Sequence, residues 1–269
     1  MRQPATSPPR VRPMGAVNWV GLWGLAWKEV RRFLAVYVQT VAAPVVTTLL
    51  FLAVFSLALG RALRVVGGVP FLEFLGPGLI MMAMIQNAFA NSSSSLISAK
   101  MQGNIVDTLM APLSPGELTA GYGIGGMIRG LLVGAIVGVS MLPFVAFSIH
   151  SPGHVLFHAL GASLMLSLLG IVGGIWAEKH EQAAVLTNFV IAPLAFLSGT
   201  FYSIERLPGV WNTIARLDPF FYMIDGFRYG FTGHAEGPLY VGYLVIVAGN
   251  LILATLCWFM FKTGYRLRP

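Results

Sequence analysis

The chain has 269 residues, of which 10% are charged and 56% hydrophobic before any of its 31 glycines is counted. Soluble domains carry about 25% charged residues, so this composition cannot cover a water-facing surface and excludes a soluble globular domain and a disordered one alike. One cysteine, Cys257, excludes an intrachain disulfide and a cysteine metal cluster, and the net charge of +7 rests on Lys and Arg that flank apolar runs, the placement of membrane-orientation signals rather than of a nucleic-acid surface.

Residues 1–14 carry four prolines and three arginines with almost nothing to bury, which predicts a disordered cytosolic tail. Residues 15–35 differ. Trp19, Trp23 and Trp27 share one helical face and Lys28, Glu29, Arg31 and Arg32 crowd the end, the pattern of an amphipathic helix lying in the membrane interface. It is either an anchor for the first span or a strut that also touches a partner.

Uncharged stretches then partition the chain at 33–60, 74–99, 130–177, 182–204 and 237–261. A membrane helix needs about 20 apolar residues. With the long third stretch divided at its His150-Ser-Pro-Gly-His154 break, six spans are expected, at 36–59, 74–98, 120–147, 155–177, 183–203 and 238–261. Backbone polar groups in hydrocarbon must be satisfied within each segment, so the spans are helices. The fold class is therefore an all-α membrane protein: an interfacial helix, a six-span domain over 36–263 and a cytosolic tail over 264–269. Arg2, Arg10, Arg12, Lys28, Arg31, Arg32, Lys100, Lys179, Lys262, Arg266 and Arg268 fall on one side, against Arg61, Arg64, Arg206, Arg216 and Arg228 on the other, so both termini are expected in the cytoplasm.

Within span two, Gln86, Asn87, Asn91 and Ser92–Ser95 form a polar stretch that either bonds across helices or lines a path. After it, Ile105, Val106, Leu109 and Met110 make one helical stripe beside Asp107, stopped by Pro112 and Pro115. Such a segment suits docking into a groove of a soluble partner, or is an ordinary surface loop. Span three repeats glycine at Gly126, Gly130, Gly134 and Gly138, and span four adds Gly170 and Gly174; small residues at this spacing let helix backbones approach closely.

Between spans five and six, Leu207, Trp211, Ile214 and Leu217 predict a helix of about 16 Å, too short to cross a hydrocarbon layer of about 30 Å. Pro219 ends it, and Phe220 to Arg228 begins a second short apolar element. This reads as a re-entrant helix pair in which Arg216, Asp218, Asp225 and Arg228 could pair.

No Gly-x-x-x-x-Gly-Lys-[Ser/Thr] loop or His-Glu-x-x-His motif occurs, so the chain has no P-loop of its own. His150, His154 and His158 are spaced by four, but Pro152 and Gly153 interrupt them and no acid stands nearby; no metal site is expected. The spans hold Arg129 and no Asp, Glu or Lys, whereas ion-coupled carriers place ionisable groups at mid-membrane. A stand-alone membrane enzyme or ion-coupled transporter acting on a lipid-like substrate is the alternative to a permease powered from outside the chain.

The phrases Phe196-Leu-Ser-Gly-Thr-Phe-Tyr-Ser-Ile-Glu-Arg-Leu-Pro208 and Leu217-Asp-Pro-Phe-Phe-Tyr-Met-Ile-Asp-Gly-Phe-Arg228 resemble those of the type-2 ABC exporter permeases, which include drug, polysaccharide and lipo-oligosaccharide exporters. Ser203 stands where that family commonly has Pro, and Asp218 where it has Asn. The resemblance covers nearly the whole chain. It implies a non-catalytic permease of the bacterial inner membrane that dimerises, most simply as a homodimer, amid membrane lipids and binds no nucleic acid. It further implies a separate cytosolic ATPase carrying the ATP and Mg, so that this chain itself needs no cofactor. Docking is implied for Gly103, Asp107, Leu109 and Pro112 of a coupling helix and for Glu29, Arg31 and Arg32 of the strut. Spans two and five would line the path, with Asn87, Asn91, Ser94, Asn188 and Ser198 as candidates. Glu205, Pro208, Arg216, Asp218, Pro219, Asp225 and Arg228 would form the re-entrant gate. The solute would be amphiphilic: drug-like, lipid-linked or a glycan.

Overall fold

The computed structural model describes Gly15, residues 17–60 and residues 65–267. The expected tail over 1–14 lies outside them. The described chain is almost wholly helical, and five of its helices are long and apolar enough to cross a membrane.

Helix α1 (Trp19–Leu34) starts at Asn18, whose side chain accepts from the Gly21 amide, and lays Leu25, Ala26, Val30 and Phe33 inward while Trp19 and Trp23 stay exposed. A π-helical segment (Val38–Ala42) leads into α2 (Ala43–Leu59). Val46, Leu50, Val54 and Leu57 of α2 face outward, as a surface immersed in lipid requires, while Leu52 is buried and Val45, Leu49, Phe51 and Phe55 pack against the core. A two-residue hairpin, β1 (Val65–Val66) with β2 (Val69–Pro70), then turns the chain into α3 (Phe71–Met101). No alternation foretold this hairpin.

Helix α3 is the buried mast of the molecule, packing mainly on α6 (Pro152–Trp176) and α5 (Pro115–Met141). Glycine makes that contact possible. A Cβ at Gly130 would stand 2.9 Å from the Met84 carbonyl oxygen, one at Gly174 would stand 3.0 Å from the Ser93 Cα, and one at Gly138 would only touch Ile80 at 3.5 Å. The expected ribbon is thus a helix–helix seam, close at Gly126, Gly130 and Gly134 and looser at Gly138. Ser92 and Ser167 add a hydrogen bond across it, 2.7 Å between hydroxyls.

Between α3 and α5 the short α4 (Ile105–Met110) sits at the end of the bundle that also carries α1. The stretch expected as a fifth span is broken into α7 (His180–Leu186), a π-helical segment (Thr187–Ile191) and α8 (Ala192–Leu197), and is not one of the five long apolar helices. Together they run roughly 27 Å, and Pro193 stands near the join. The short helix predicted from Leu207 to Leu217 begins later, as α9 (Val210–Leu217), because Pro208 and Gly209, at a φ of +45°, hold its first residues out of the helix; a single 3-10 turn at Ile204–Arg206 precedes it. Helices α10 (Pro219–Thr232) and α11 (Leu239–Thr263) complete the chain.

Candidate functional site

Three regions carry the polar chemistry of an otherwise apolar molecule. At the α1 end, the Glu117 carboxylate accepts from the Asn18 amide at 2.5 Å and from the Ser114 amide at 2.6 Å, while the Asn18 side-chain amide donates to the Pro112 carbonyl at 3.0 Å. In return the Ser114 hydroxyl oxygen accepts from the Glu117 amide, closing a capping box. One carboxylate therefore joins the start of the interfacial helix to the loop beneath α4. On α4 itself Ile105 is buried and Leu109 partly so, while Val106, Asp107 and Met110 face outward. The expected stripe is thereby split. Gly103, at a φ of +75°, makes the turn that aims the segment, and Pro112 lies exposed at its end.

Glu29 and Arg32, expected on the docking face of the strut, point into the protein instead. Glu29 is fully enclosed, 3.2 Å from Arg32, and accepts from the Ser95 hydroxyl at 2.6 Å. Arg32 in turn donates to the Asn91 carbonyl and side-chain oxygens at 2.7 and 3.0 Å and to Ser94 at 3.3 Å. The reason is geometric: Gly125 on α5 leaves room for the Glu29 Cβ, so that face of α1 seats against α3 and α5. Arg31 remains on the exposed face.

The second region is a cleft of about 580 Å3 between the π-helical turn, α2, α3 and α5. Arg32, Gln39, Thr40, Thr47, Gln86, Asn87, Ser94 and Arg129 give it polar walls; Phe51, Leu79 and Met82 give it apolar ones. Of the expected pathway residues, Asn87 and Ser94 line it, and Asn91 is buried behind it holding Arg32. Asn188 sits exposed on the π-helical segment elsewhere, and Ser198 belongs to the opposite end of the molecule, bonded to Asp218 at 2.9 Å. Within this chain the cleft is walled by the π-helical turn, α2, α3 and α5. Thr40, Pro44, Thr47, Thr48 and Phe51 fall at helical spacing on span one, a signal that sequence reading passed over.

The third region is the re-entrant pair. Its charged residues were expected to pair; among the described residues they do not, the one ion pair being Glu29–Arg32. Backbone groups take their place. Arg228, 1% exposed, donates to the Phe74 carbonyl at 3.1 Å and the Gly199 carbonyl at 2.7 Å, with its guanidinium 3.7 Å over the Phe74 ring. Asp225 accepts from the Glu236 and Gly237 amides, and Asp218 caps α10 through the Phe220 amide. Gly199, at a φ of +74°, turns its carbonyl toward Arg228, which explains physically why Ser-Gly and Asp-x-x-Arg occur in one chain. Glu236 accepts from the Ile204 amide at 2.8 Å, and its other oxygen is buried without a partner; burial pushes its carboxyl above the usual range, against the pull of Arg228. Glu205, Pro208 and Arg216 are exposed, Arg216 bonding only Asn212, and Pro219 opens α10.

The histidines do not assemble a reactive centre. His158 is fully buried, its ring stacked with that of His154 and crowded by Tyr243, and the described residues hold no cluster of groups that could bind a metal ion.

Apolar spanning helices around a polar cleft, an interfacial helix tied to a protruding short helix, and a capped re-entrant pair define a multi-pass membrane transport protein. The family model described as ABC-2 type transporter matches residues 21–232. The inner membrane transport permease YadH of Escherichia coli (strain K12) is 38% identical over 250 residues, covering 93% of this chain and 98% of the relative. Nodulation protein J of Rhizobium leguminosarum bv. trifolii is 28% identical over 231 residues, covering 82% and 84%, and that of Rhizobium meliloti (strain 1021) is 26% identical over 255 residues, covering 91% and 90%. The chain belongs to the ABC-2 type transporter family and is a transport permease of that class.

Proposed function

We propose that the chain is the membrane half of an ATP-driven exporter of the bacterial inner membrane, working as a homodimer with two copies of a cytosolic ATPase that carry the ATP and Mg. The protein then crosses the bilayer six times, the broken helix over 180–197 being the fifth span, with both termini in the cytoplasm. The inner-membrane name of the Escherichia coli relative agrees with this reading. The observation that carries it is α4: a short helix fixed by Ile105 at the mouth of two long spans, presenting Val106, Asp107 and Met110 outward, and tied through Glu117 to α1. A rigid lever of this kind transmits a push from a soluble subunit to α3, α5 and α1 together. Nucleotide binding would draw the ATPases toward each other, tilt α4, close the cytosolic mouth and drive an amphiphilic solute outward past the re-entrant pair.

The test is isolation of the tagged full chain from its native membranes, with mass spectrometric identification of the bound ATPase and measurement of its turnover. Asp107→Arg and Met110→Glu, both on the outward face, are expected to abolish co-purification and the stimulation of ATP hydrolysis. Unchanged complex and turnover in both variants would remove the docking role of α4, and absence of any ATPase from the wild-type preparation would overturn the exporter reading.

A further inference from the structure

We propose that the cleft is the seat of an anionic amphiphile, with Arg129 binding its phosphate-type oxyanion headgroup and the apolar end of the cleft taking its chain. The proposal rests on the exporter reading for its physiological meaning, since it names the class of solute moved.

The charge balance of the cleft points to an anion. Two guanidinium groups line it and no Asp or Glu does. Arg32 is compensated by Glu29, whose carboxylate is also taken by Ser95. Arg129 has no carboxylate within ion-pair distance among the described residues. Of its five N–H donors, one reaches the Asn87 side-chain oxygen at 3.1 Å, and its Nε is buried without a partner. Arg129 lies about 21 Å from the start of α5, whose 27 residues run about 40 Å, so it stands near the middle of a helix that spans a hydrocarbon layer of about 30 Å. A guanidinium at that depth is costly unless it faces a water-filled cavity or a counter-charge, and a planar fork of donors matches phosphate or carboxylate oxygens in pairs.

The shape of the cleft supplies the rest. Along α3 the lining runs from Ser94, beside Arg32, through Asn87, beside Arg129, to Met82 and Leu79. Asn87 and Leu79 are eight residues apart, roughly 12 Å, the length of a short acyl or prenyl segment. Phe51 of α2 faces the same end. One wall thus grades from donors to hydrocarbon, as a molecule with an acidic head and a greasy tail does. The volume of about 580 Å3 lies within the usual range for small-molecule sites, about 300–1,000 Å3.

The full chain is placed in nanodiscs of phosphatidylcholine, without nucleotide or ATPase, and titrated with dodecyl phosphate and, as the neutral partner, dodecyl maltoside, binding being read by native mass spectrometry. Dodecyl phosphate is expected to bind the wild type and to lose at least about tenfold in affinity on Arg129→Gln, with Arg129→Lys intermediate. Gln86→Glu, which sets a carboxylate in the cleft while leaving Arg129 in place, is expected to weaken binding as much; it serves where Arg129→Gln does not fold. Equal affinity in wild type and variants, or preference for the maltoside, overturns the proposal. A second arm adds phosphatidylglycerol to the nanodiscs. Displacement of a co-purifying phosphatidylglycerol by dodecyl phosphate marks a solute site, and retention of that lipid in wild type with loss in Arg129→Gln marks a resident headgroup; each supports the oxyanion site. Because Arg129 is remote from α4, capture of the ATPase by Arg129→Gln stays at the wild-type level, so failure of the anion site and failure of the exporter reading are read separately.

Discussion

Gly170 is where the packing of the bundle is most exposed to a single methyl group. A Cβ built there stands 2.5 Å from the Phe89 carbonyl oxygen, 3.1 Å from its Cα and 3.2 Å from its carbonyl carbon, all backbone atoms of α3. Ordinary contact begins at 3.4 Å, so Gly170→Ala must push α6 about 0.9 Å away from α3, and no side chain can rotate out of the way. Overpacking of this kind costs about 1–3 kcal/mol, offset by at most ~1 kcal/mol of improved helix propensity. The expected net loss of about 1–2 kcal/mol corresponds to a fall of roughly 2–8 °C in the midpoint for a chain of this size. Gly173→Ala, one turn along the same helix, is the control. Its Cβ would meet only side chains, the Phe89 ring edge at 3.3 Å and Leu186 at 3.4 Å, and a neutral or slightly stabilising effect is expected. Thermal melts of the purified variants in one detergent decide the matter. A Gly170→Ala protein as stable as wild type, or a Gly173→Ala protein that loses as much, would refute the claim that backbone contact sets the α3–α6 spacing.

Arg228→Lys should destabilise the packing of α10 against α3 by about 2–4 kcal/mol, since a single ammonium cannot hold both the Phe74 and Gly199 carbonyls or stack on the Phe74 ring as the guanidinium does. Faster amide exchange confined to residues 198–232 is the expected signature, and unchanged exchange there would contradict it. For Glu236 the pKa is raised in the folded state, so the stability it contributes is full below the ordinary carboxylate value near 4.5 and is lost as pH rises through its elevated value. Glu236→Gln is therefore expected to flatten the fall in melting temperature between pH 5 and pH 8, and a wild-type slope in the variant would show that Glu236 does not cause it.

The sequence by itself determined the class of molecule. Ten per cent charge and long uncharged runs leave only a lipid-immersed chain, in which backbone satisfaction forces helices, and Pro112 and Pro219 marked where the short helices α4 and α9 end. The glycine ribbon was legible for the same reason: in lipid, close approach needs small residues, and spacing alone reveals the face. The candidate site was legible only in part. The α4 segment and the phrases around α9 and α10 could be placed because each is local in sequence. What only the tertiary structure decided is where the polar groups point. Glu29 and Arg32 turned inward because Gly125 makes room on another helix, and Arg228 chose backbone carbonyls from α3 and from the turn before the 3-10 segment over the nearby carboxylates. The cleft likewise gathers Gln39, Asn87 and Arg129 from three separate helices. Such groupings join residues tens of positions apart, and each is settled by which partner best satisfies a buried donor, a competition that periodicity along one helix does not record.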